Sequence, residues 1–585
     1  MKFLLVAINA KYIHSNPAIY SLRAYAGEAY AGEAYAEDIE LAEYTINQYG
    51  RDILADIYLR KPDVIGISCY IWNWDMVRWL IPELVKVLPK VKIWLGGPEV
   101  SYDADQIMKK YPQLTGVIIG EGEETFKELL EYYKAGRKKQ LQEIAGLYLK
   151  DGFTSPRELT ELSALPFLYD DLDGFENKII YYESSRGCPY RCSYCLSSID
   201  KKVRLRDMQI VKKELQFFLD HNVPQVKFID RTFNCNHAHA MEIWKYISSH
   251  DNGITNFHFE ISADILNEQE IEILKQMRPG LVQLEIGVQT INPRTIEAIN
   301  RKMDIDKLER IVAEIHSGRN IHQHLDLIAG LPYEDYTSFG KSFDRVYRMH
   351  PEQLQLGFLK VLKGSPMENC AQQYGIRYLD EPPYEVLNTN WLSYADVLQL
   401  KRIEEAVEIF YNSGQFTETI AVLERQFKSP FSMYEQMAEF FRTEEQLLKS
   451  PARIQRYQAL LKFIQKYLPE QELLYRELLT YDLYARENMK SRPGFAIDLK
   501  KNDSTGKNYE AAIIDFYKQE AEERRYLANY TDYNWKQLSH MTHLEPFHFV
   551  QLTGESLRWV TEPQVQTVYV LFDYRGKRSI PIAGQ

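Results

Sequence analysis

The residues with the clearest chemical potential in this chain are three cysteines in the stretch 183–198, ESSRGCPYRCSYCLSS. Cys188, Cys192 and Cys195 follow the spacing Cys-x-x-x-Cys-x-x-Cys. Thiolates this close together can bind three irons of a cubane 4Fe–4S cluster, because cysteine thiolates hold such clusters in proteins. The fourth iron then has no protein ligand nearby, and an open metal position is where a substrate or cofactor binds. The stretch therefore predicts an iron–sulfur cluster with one exchangeable iron.

Two other interpretations of these cysteines stay open at this stage. A zinc site would need a fourth cysteine or histidine nearby. The next cysteine, Cys235, is 40 residues away from Cys195, which argues against such a site. The three thiols could also be buried structural residues. Because only six cysteines occur in 585 residues, metal binding in a reducing cytoplasm is favoured over a disulfide framework.

Composition and charge limit the classes of function. The net charge is −12 and the pI is about 5.7, which argues against a large nucleic-acid interface, since that would present a basic surface. The sequence contains no run of about 18 apolar residues, so no membrane span is expected. The apolar start MKFLLVAI is too short for a signal peptide, so none is expected either. The length predicts about three domains. We expect a cytoplasmic protein with neither a nucleic-acid nor a membrane partner.

Residues 1–135 alternate apolar runs with helical patterns, which predicts a parallel sheet covered by helices on both faces. The predicted strands are 2–8, 38–46, 64–70, 91–100 and 116–124. Ligands of such sheets bind beyond the carboxyl ends of the strands. Glycines and polar residues cluster there and would let the backbone approach a large ligand closely: Asn9, Asn73, Gly96, Gly97, Glu99, Gly120, Glu121, Gly122 and Glu123. No Gly-x-Gly-x-x-Gly follows the first strand, so a dinucleotide site is not expected.

The strand–helix alternation resumes over residues 179–366. The predicted strands are 178–185, 225–230, 256–262, 281–287, 322–330 and 353–359, and the predicted helices are 207–220, 237–250, 267–278, 304–317 and 335–349. Six β–α units predict a partial (β/α)6 version of the TIM barrel, whose active site lies at the carboxyl ends of its strands. The cysteine loop follows the first of these strands, at the expected end.

One strand carries an alternating polar row. His322, His324 and Asp326 share parity, so their side chains are expected on one side of the fifth barrel strand. Three ligands at positions i, i+2 and i+4 span about 13 Å at the rise of a strand, which is too far for one ion. Substrate contact or hydrogen bonding inside the barrel is therefore preferred over a metal site.

The rest of the chain gives weaker signals. Residues 136–178 are rich in turn formers and predict a connector. Residues 367–585 predict a mainly helical C-terminal domain that ends in the strand-like pieces TVYVLFDY and RSIPIA. The stretch AYAGEAYAGEAYA at 24–36 repeats a five-residue unit and is expected to lengthen the first helix or its exit loop.

The cysteine stretch resembles the radical S-adenosylmethionine (SAM) enzymes, whose hallmark is this spacing with an aromatic residue before the last cysteine, here Tyr194. The resemblance implies that SAM binds the fourth iron and that one electron cleaves it to a 5′-deoxyadenosyl radical. FIDRTFN, EISAD, LEIGVQT and LIAGLP resemble the strand ends that bind SAM in that family. They imply SAM contacts from these residues: Tyr194, Asp230, Ser262, Asp264, Glu285, Gln289, Gly330 and Pro332.

The first domain resembles the cobalamin-binding, Rossmann-like (flavodoxin-like) domain of the cobalamin-dependent branch of that family. GISCY, LGGPEV and GEGEETF carry this likeness. It implies corrinoid contacts from these residues: Asn73, Gly96, Gly97, Glu99, Gly120, Glu121, Gly122 and Glu123. Members that ligate cobalt from below carry Asp-x-His-x-x-Gly after the first strand. The loop here has His14 without that aspartate, so we expect the lower axial position to be open or filled by water or a side chain.

The resemblance implies a radical SAM enzyme that uses cobalamin for methyl transfer or another radical modification, with flavodoxin or ferredoxin as reductant and a small molecule or peptide as substrate. One alternative is methylthiolation of RNA or protein, which in that family needs a further cysteine triad, whereas the first domain contains only Cys69. A non-catalytic redox sensor that binds a cluster or corrinoid is the other. The last region resembles a domain of unknown function found on such enzymes.

Overall fold

The computed structural model describes residues 1–28, 38–134, 140–169, 171–443, 452–502, 506–554 and 556–583. Most of the repeat at 24–36 lies outside the described residues, so its predicted effect on the first helix stays a prediction. The chain divides into two compact units, Met1–Val397 and Leu398–Gln585.

The first unit begins with a seven-stranded sheet in the order β2-β1-β3-β4-β5-β6-β7. The first five strands are parallel, and β6 and β7 are antiparallel. The order 2-1-3-4-5 is that of flavodoxin-like sheets and confirms the predicted fold. The strands are β1 Phe3–Asn9, β2 Ile39–Thr45, β3 Val64–Ser68, β4 Lys92–Gly96, β5 Gly116–Ile118, β6 Leu147–Leu149 and β7 Gly152–Phe153, and the helices are α1 Pro17–Glu28, α2 Gly50–Arg60, α3 Trp74–Val87, α4 Pro98–Ser101, α5 Ala104–Lys110 and α6 Glu123–Lys134.

Strand β1 shows why this sheet is buried on both faces. All seven of its residues are buried. Leu4, Val6 and Ile8 pack in one hydrophobic cluster, whereas Phe3, Leu5 and Ala7 pack in a second cluster. Successive side chains of a strand point to opposite faces, so a continuous apolar run requires a layer of helices on each side.

The second sheet of this unit has six parallel strands in the order β8-β11-β12-β13-β14-β15. Helices follow most of these strands, which confirms the predicted partial (β/α)6 barrel. Its elements are β8 Ile180–Tyr182, β9 Ser185–Arg186, β10 Arg204–Leu205, α7 Met208–Asp220, β11 Gln225–Phe228, α8 His237–Ser249, β12 Asn256–Ile261, α9 Glu268–Gln276, β13 Val282–Gln289, α10 Pro293–Ala298, α11 Ile305–Ser317, β14 His322–Ala329, α12 Tyr336–Tyr347 and β15 Gln353–Phe358.

Strand β13 separates the two faces of this barrel. Its residues alternate strictly between buried and half-buried along all eight positions. The buried set is Val282, Leu284, Ile286 and Val288, and the half-buried set contains Glu285 and Gln289. The apolar side packs towards the surrounding helices and the polar side faces the interior of the barrel, which we call the lumen.

Short elements follow the barrel: α13 Pro366–Cys370, β16 Arg377–Tyr378, β17 Val386–Asn388 and α14 Tyr394–Val407. The second unit has more helix than strand, as predicted, and its strands form an antiparallel sheet β18-β21-β22 and a hairpin β19-β20. Its elements are α15 Thr417–Leu423, α16 Pro430–Thr443, α17 Arg453–Tyr467, α18 Glu472–Arg486, α19 Tyr509–Glu523, α20 Trp535–Met541, β18 Thr542–Phe547, β19 Val550–Thr553, β20 Ser556–Trp559, β21 Val568–Asp573 and β22 Arg578–Ala583. None of the described helices is long and apolar enough to cross a bilayer.

Candidate active site

The three predicted cluster cysteines lie on the loop between β9 and β10. Cys188 and Cys192 are buried and Cys195 is half-buried. The Cys188 N–H donates to the Asp200 carbonyl at 3.0 Å, which fastens the start of the loop to its end. Gly187, with φ +98°, is required there, because a Cβ would lie 2.4 Å from the Lys202 carbonyl oxygen. The backbone thus gathers the thiols into one compact turn.

All three cysteines line a cavity of about 230 Å³ at the carboxyl ends of the barrel strands, which we call the cysteine cavity. Half of the residues predicted to bind SAM line the same cavity: Tyr194, Ser262, Glu285 and Gln289. The other four, Asp230, Asp264, Gly330 and Pro332, are not among its lining residues. The fold therefore brings the cluster loop together with the ends of β12 and β13, and direct SAM contact from each residue stays a prediction.

Asp230 connects the end of β11 to the segment before the cysteine loop. Its carboxylate accepts hydrogen bonds from the Ser184 N–H at 2.9 Å and the hydroxyls of Ser184 and Ser185 at 2.7 and 2.6 Å. Complete burial raises the pKa of Asp230 to about 6, although these hydrogen bonds act in the opposite direction. The side chain has a positioning role that the sequence did not reveal.

Asp264 acts in a similar way at the end of β12. It accepts hydrogen bonds from the Ser262 hydroxyl at 2.7 Å and from the Asp304 N–H at 3.0 Å. It therefore orients Ser262, which lines the cysteine cavity, and connects β12 to the start of α11. The turn at Gly330 and Pro332 follows β14, and its packing partner is Val386 on β17.

Arg301 supplies a positive charge beside the cysteine loop. Its Nη1 lies 3.9 Å from Cys192 Sγ and 3.2 Å from the Tyr194 hydroxyl, and its Nη2 donates to the Gly287 carbonyl. Burial raises the pKa of the Cys192 thiol, and the Arg301 guanidinium opposes that rise. A cation at this position favours the thiolate form that binds iron.

Charged and polar side chains from four neighbouring strands meet in the lumen. Lys227 Nζ and His258 Nε2 lie 3.1 and 3.0 Å from Glu285 Oε2, and His324 Nε2 lies 3.0 Å from Asp326 Oδ1. Burial alone would raise the pKa of Glu285, but His258 and the Lys227 ammonium lower it to about 2. Glu285 is therefore ionised across the physiological range.

The lumen also tests the expectation about metal binding. His322, His324 and Asp326 do not share a site, but donor atoms of Glu285, His324 and Asp326 lie within 4.8 Å of one another. The Lys227 ammonium already neutralises Glu285, and a like charge beside it would be repelled. The preference for hydrogen bonding in the lumen over a bound cation stays a prediction.

A larger cavity of about 680 Å³ opens at the carboxyl ends of the first sheet; we call it the N-terminal cavity. Six of the eight residues predicted to contact a corrinoid line it: Gly96, Gly97, Gly120, Glu121, Gly122 and Glu123. At Gly120, with φ +79°, an added Cβ would meet nothing within 4 Å, so the backbone itself borders open space. A cavity of this size with a glycine-lined rim fits a large planar cofactor such as a corrinoid.

Asn73 and Glu99 lie outside that lining and contact other protein groups. Asn73 donates to the carbonyls of Ile8 and Ser68 at 3.1 and 2.9 Å, which holds the ends of β1 and β3 together. Glu99 accepts from the Tyr384 hydroxyl and pairs with Lys363 at 3.1 Å. Both residues support the rim of the cavity, and direct cofactor contact from them stays a prediction.

Two arginines join the N-terminal cavity to the cysteine loop. Arg204 on β10 pairs with Glu121 at 2.6 Å, and Arg186 on β9 lies 3.1 Å from Glu123 and 3.4 Å from Glu121. The opposing Arg204 and Arg186 guanidiniums lower the pKa of Glu121 to about 2, although burial would raise it. The Gly120–Glu123 loop is therefore connected to both strands that border the cysteine loop.

His14 lies in the loop after β1 but is not among the residues that line the N-terminal cavity. Its Nδ1 lies 2.6 Å from the Tyr181 hydroxyl on β8. Burial, followed by the Lys11 charge, lowers the pKa of His14. The histidine thus packs against the barrel, and the expected absence of a histidine ligand below cobalt stays a prediction.

Sequence reasoning missed three arginines of this site, Arg186, Arg204 and Arg301, and assigned no role of its own to Arg231 within the FIDRTFN motif. Arg186 stands two residues before Cys188, so proximity to the motif was a usable signal. Arg204 and Arg301 reach the site only because β10 and the segment after α10 fold back towards the cysteine loop, and no local pattern encodes that.

Three family models match the chain: the B12 binding domain at residues 4–130, the radical SAM superfamily at 182–346 and the protein of unknown function DUF4080 at 372–572. These ranges lie inside the predicted domains 1–135, 179–366 and 367–585, whose boundaries stay predictions. Radical SAM domains take a 4Fe–4S cluster and SAM, and B12 binding domains take cobalamin. The matched domains therefore agree with the cofactors expected from the sequence.

Individual proteins are also similar to this chain. The cobalamin-dependent radical SAM methyltransferase TokK of Streptomyces tokunonensis is 26% identical over 413 residues, which are 63% of this chain. The chain spans 59% of the length of that relative. The solved structure of the methyltransferase TsrM from Kitasatospora setae, at 18% identity, matches with a TM-score of 0.53 over 66% of this chain and 80% of its own.

The cobalamin-dependent SAM radical enzyme OxsB matches with a TM-score of 0.57 and 14% identity over 82% of this chain and 78% of its own. At these identities the solved structures establish the shared fold alone. The family matches, together with the cysteine loop on its barrel and the cavity of the first sheet, identify the chain as a radical SAM superfamily protein with an N-terminal B12 binding domain and a C-terminal DUF4080 domain.

Proposed function

We propose that this protein is a cobalamin-dependent radical SAM enzyme that methylates an unidentified substrate. The observation that supports the proposal best is the direct connection between two cofactor cavities. The Gly120–Glu123 rim of the N-terminal cavity pairs with arginines on β9 and β10, the two strands that border the cysteine loop. Such a connection is expected where two cofactors must act on one substrate at a set separation.

The chain's own residues would bind and orient the cofactors. Cys188, Cys192 and Cys195 would hold the cluster, and Tyr194 with the ends of β12 and β13 would hold SAM. When bound, the cluster supplies the electron that cleaves SAM, and the corrinoid supplies a methyl carrier. Buried Cys188 and Cys192, with the loop that carries them, would limit the access of water to the cluster. A one-electron donor such as flavodoxin or ferredoxin would reduce the cluster from outside.

Anaerobic reconstitution tests the radical activity. The reconstituted protein is incubated with dithionite and SAM, and 5′-deoxyadenosine is quantified by mass spectrometry. We expect turnover by the native protein and none by Cys188→Ala. The matched control is Cys370→Ala, since Cys370 is half-buried and does not line the cysteine cavity. If the native protein produced no more 5′-deoxyadenosine than Cys188→Ala, the proposal would fail.

Corrinoid binding is tested separately by the absorption spectrum of protein purified with hydroxocobalamin. Gly96 lines the N-terminal cavity, and a Cβ there would only touch Ile118 at 3.6 Å. Gly96→Val is therefore expected to abolish corrinoid retention while iron content persists. The control Gly494→Val lies in the second unit, at a position where a Cβ meets nothing within 4 Å. Equal corrinoid content in the native protein and Gly96→Val would contradict the assignment.

The methylthiolation alternative finds less support in the site. Cys69 is buried, and burial raises its pKa far above the usual thiol range. A protonated single thiol of this kind is a poor metal ligand. Reaction with SAM in the assay above also separates the enzyme from a non-catalytic sensor, for which no turnover is expected.

A further inference from the structure

The segment that carries the cluster cysteines is basic in an otherwise acidic chain. Residues 186–206 contain six basic side chains and one acidic side chain, Asp200, whereas the whole chain has a net charge of −12. Three of these basic side chains are neutralised by carboxylates at 2.6 or 2.7 Å: Arg186 by Glu183, Arg204 by Glu121 and Arg206 by Glu214.

The other three cations of this segment, Arg191, Lys201 and Lys202, are exposed. No ion pair joins any of them to a residue in the part of the chain that the structure describes. The carboxylate of Asp200 pairs with Arg204 at 2.8 Å instead. None of the three side chains lines the cysteine cavity or the N-terminal cavity, so their charges are presented to solvent.

All three cations lie beside the cluster cysteines. Arg191 immediately precedes Cys192. The Cys188 N–H donates to the Asp200 carbonyl at 3.0 Å, which places the two lysines that follow Asp200 beside the first cysteine. The three exposed side chains therefore border the cluster loop on the surface of the protein, and we call them the basic patch.

Unpaired surface cations beside the predicted cluster suit an acidic electron carrier. Opposite charges steer two proteins together and orient them, and redox complexes gain most from this steering because their interfaces are small. We propose that the basic patch docks an acidic electron-carrier protein that reduces the cluster. One electron passes from the carrier to the cluster, so the carrier is oxidised, the cluster is reduced and no bond is made or broken. This inference rests on the proposed function, since only a cluster that turns over needs repeated reduction.

Nucleic acid is the other kind of polyanion that binds basic surfaces. Its binding gains strength with each phosphate that the protein neutralises, and three cations supply few such contacts. The net charge of −12 would also repel a strand that extended beyond the patch. A small basic area on an acidic protein therefore favours an acidic protein partner over a nucleic acid.

Titration with oxidised flavodoxin, an acidic carrier, tests docking to the reconstituted protein. Isothermal titration calorimetry measures Kd for the native protein, for Lys201→Gln/Lys202→Gln and for that variant with Arg191→Gln added. We expect the double substitution to weaken binding by about tenfold, the loss expected for two exposed ion pairs, and Arg191→Gln to weaken it further. Added salt should weaken binding by the native protein more than binding by the variants, because salt screens exposed charges.

The source of electrons separates docking from chemistry. With dithionite, a small reductant that needs no docking surface, the native protein and Lys201→Gln/Lys202→Gln should cleave SAM at equal rates. With flavodoxin hydroquinone, kcat/KM for the carrier should fall by about tenfold in the variant. The matched control Lys109→Gln/Lys110→Gln removes an adjacent, exposed pair of lysines on α5 and should behave as the native protein in every assay.

Equal affinity of the native protein and Lys201→Gln/Lys202→Gln for flavodoxin would overturn the proposal, and so would an equal loss in Lys109→Gln/Lys110→Gln. A short single-stranded RNA is titrated in parallel. Loss of RNA binding in Lys201→Gln/Lys202→Gln with unchanged flavodoxin affinity would assign the patch to nucleic acid, and the proposal would also fall. Failure of the proposed function would appear differently, as absent SAM cleavage by the native protein with dithionite.

Discussion

At the scale of single residues, Arg301 is expected to tune the cluster. Its guanidinium lies 3.9 Å from Cys192 Sγ, and reduction adds a negative charge to the cluster. Because a nearby cation stabilises that charge, Arg301→Met should lower the midpoint potential by on the order of tens of millivolts. Electron paramagnetic resonance during a redox titration measures the shift. Arg301→Lys keeps the charge and should keep most of the potential.

The iron content of these variants separates tuning from assembly. Arg301→Met should still bind the cluster, since Cys188, Cys192 and Cys195 are unchanged. An unaltered potential in a fully loaded Arg301→Met protein would show that the guanidinium does not act on the cluster. Loss of iron without any loaded fraction would assign Arg301 to assembly instead.

At the scale of elements, the pair Glu121–Arg204 should hold the β5–α6 loop against β10. The side chains are 16% and 7% exposed, so the pair is largely shielded from solvent. The pKa of Glu121 falls from 4.5 to about 2, and a shift of this size corresponds to about 3 kcal/mol of stability. A carboxyl with a depressed pKa stabilises the fold above its unfolded pKa and loses this contribution as the pH falls from about 4.5 towards 2.

Glu121→Gln should therefore lower the melting temperature of the first unit at pH 7, and the difference from the native protein should shrink below about pH 4.5. Calorimetry at several pH values measures both effects. The exposed pair Glu439–Arg442 in the second unit supplies the control, because Glu439→Gln removes a solvated contact of little energetic value. A constant difference between native protein and Glu121→Gln at all pH values would contradict the assigned pKa.

The elements themselves were largely predictable from the sequence. Each predicted barrel strand overlaps an observed one, and α8, predicted at 237–250, spans His237–Ser249. Hydrophobic periodicity is a local property, so these elements follow from neighbouring residues. The short strands β6, β7 and β10 were not predicted. Other errors occur at the ends of elements: 91–100 was predicted as one strand, but β4 stops at Gly96 and α4 begins at Pro98, because proline at the first helical position favours helix.

The site was predictable where residue spacing encodes it and not where contacts between distant segments create it. Cys188, Cys192 and Cys195 lie on one loop, so their proximity in space follows from their short separation in sequence. Arg231 meets the end of β12, and Arg204 meets Glu121, across 83 residues of sequence. Such pairings depend on the order of strands and on the packing of two sheets, which no short pattern contains.

At the scale of the whole molecule, the two compact units should unfold as separate transitions. Cys188, Cys192 and Cys195, the cysteine cavity and the N-terminal cavity lie in Met1–Val397. The second unit has hydrophobic clusters of its own and a buried carboxylate, Glu545, that pairs with Arg492 and lies 2.8 Å from His543. Each unit therefore has the core and the polar contacts that a cooperative transition requires.

A ligand of one unit, or a mutation in it, should shift the melting temperature of that unit alone. A ligand stabilises the state it binds, by about 2.7 kcal/mol at a hundred times its dissociation constant, so SAM added to the reconstituted protein should raise only the first unit's melting temperature. Glu545→Gln removes the buried carboxylate that pairs with the half-buried Arg492, at a cost of about 3 kcal/mol. This substitution should lower only the melting temperature of the second unit. Differential scanning calorimetry of the native protein and Glu545→Gln, each with and without SAM, resolves the four cases. A single transition that shifted with both SAM and Glu545→Gln would show that the two units unfold as one.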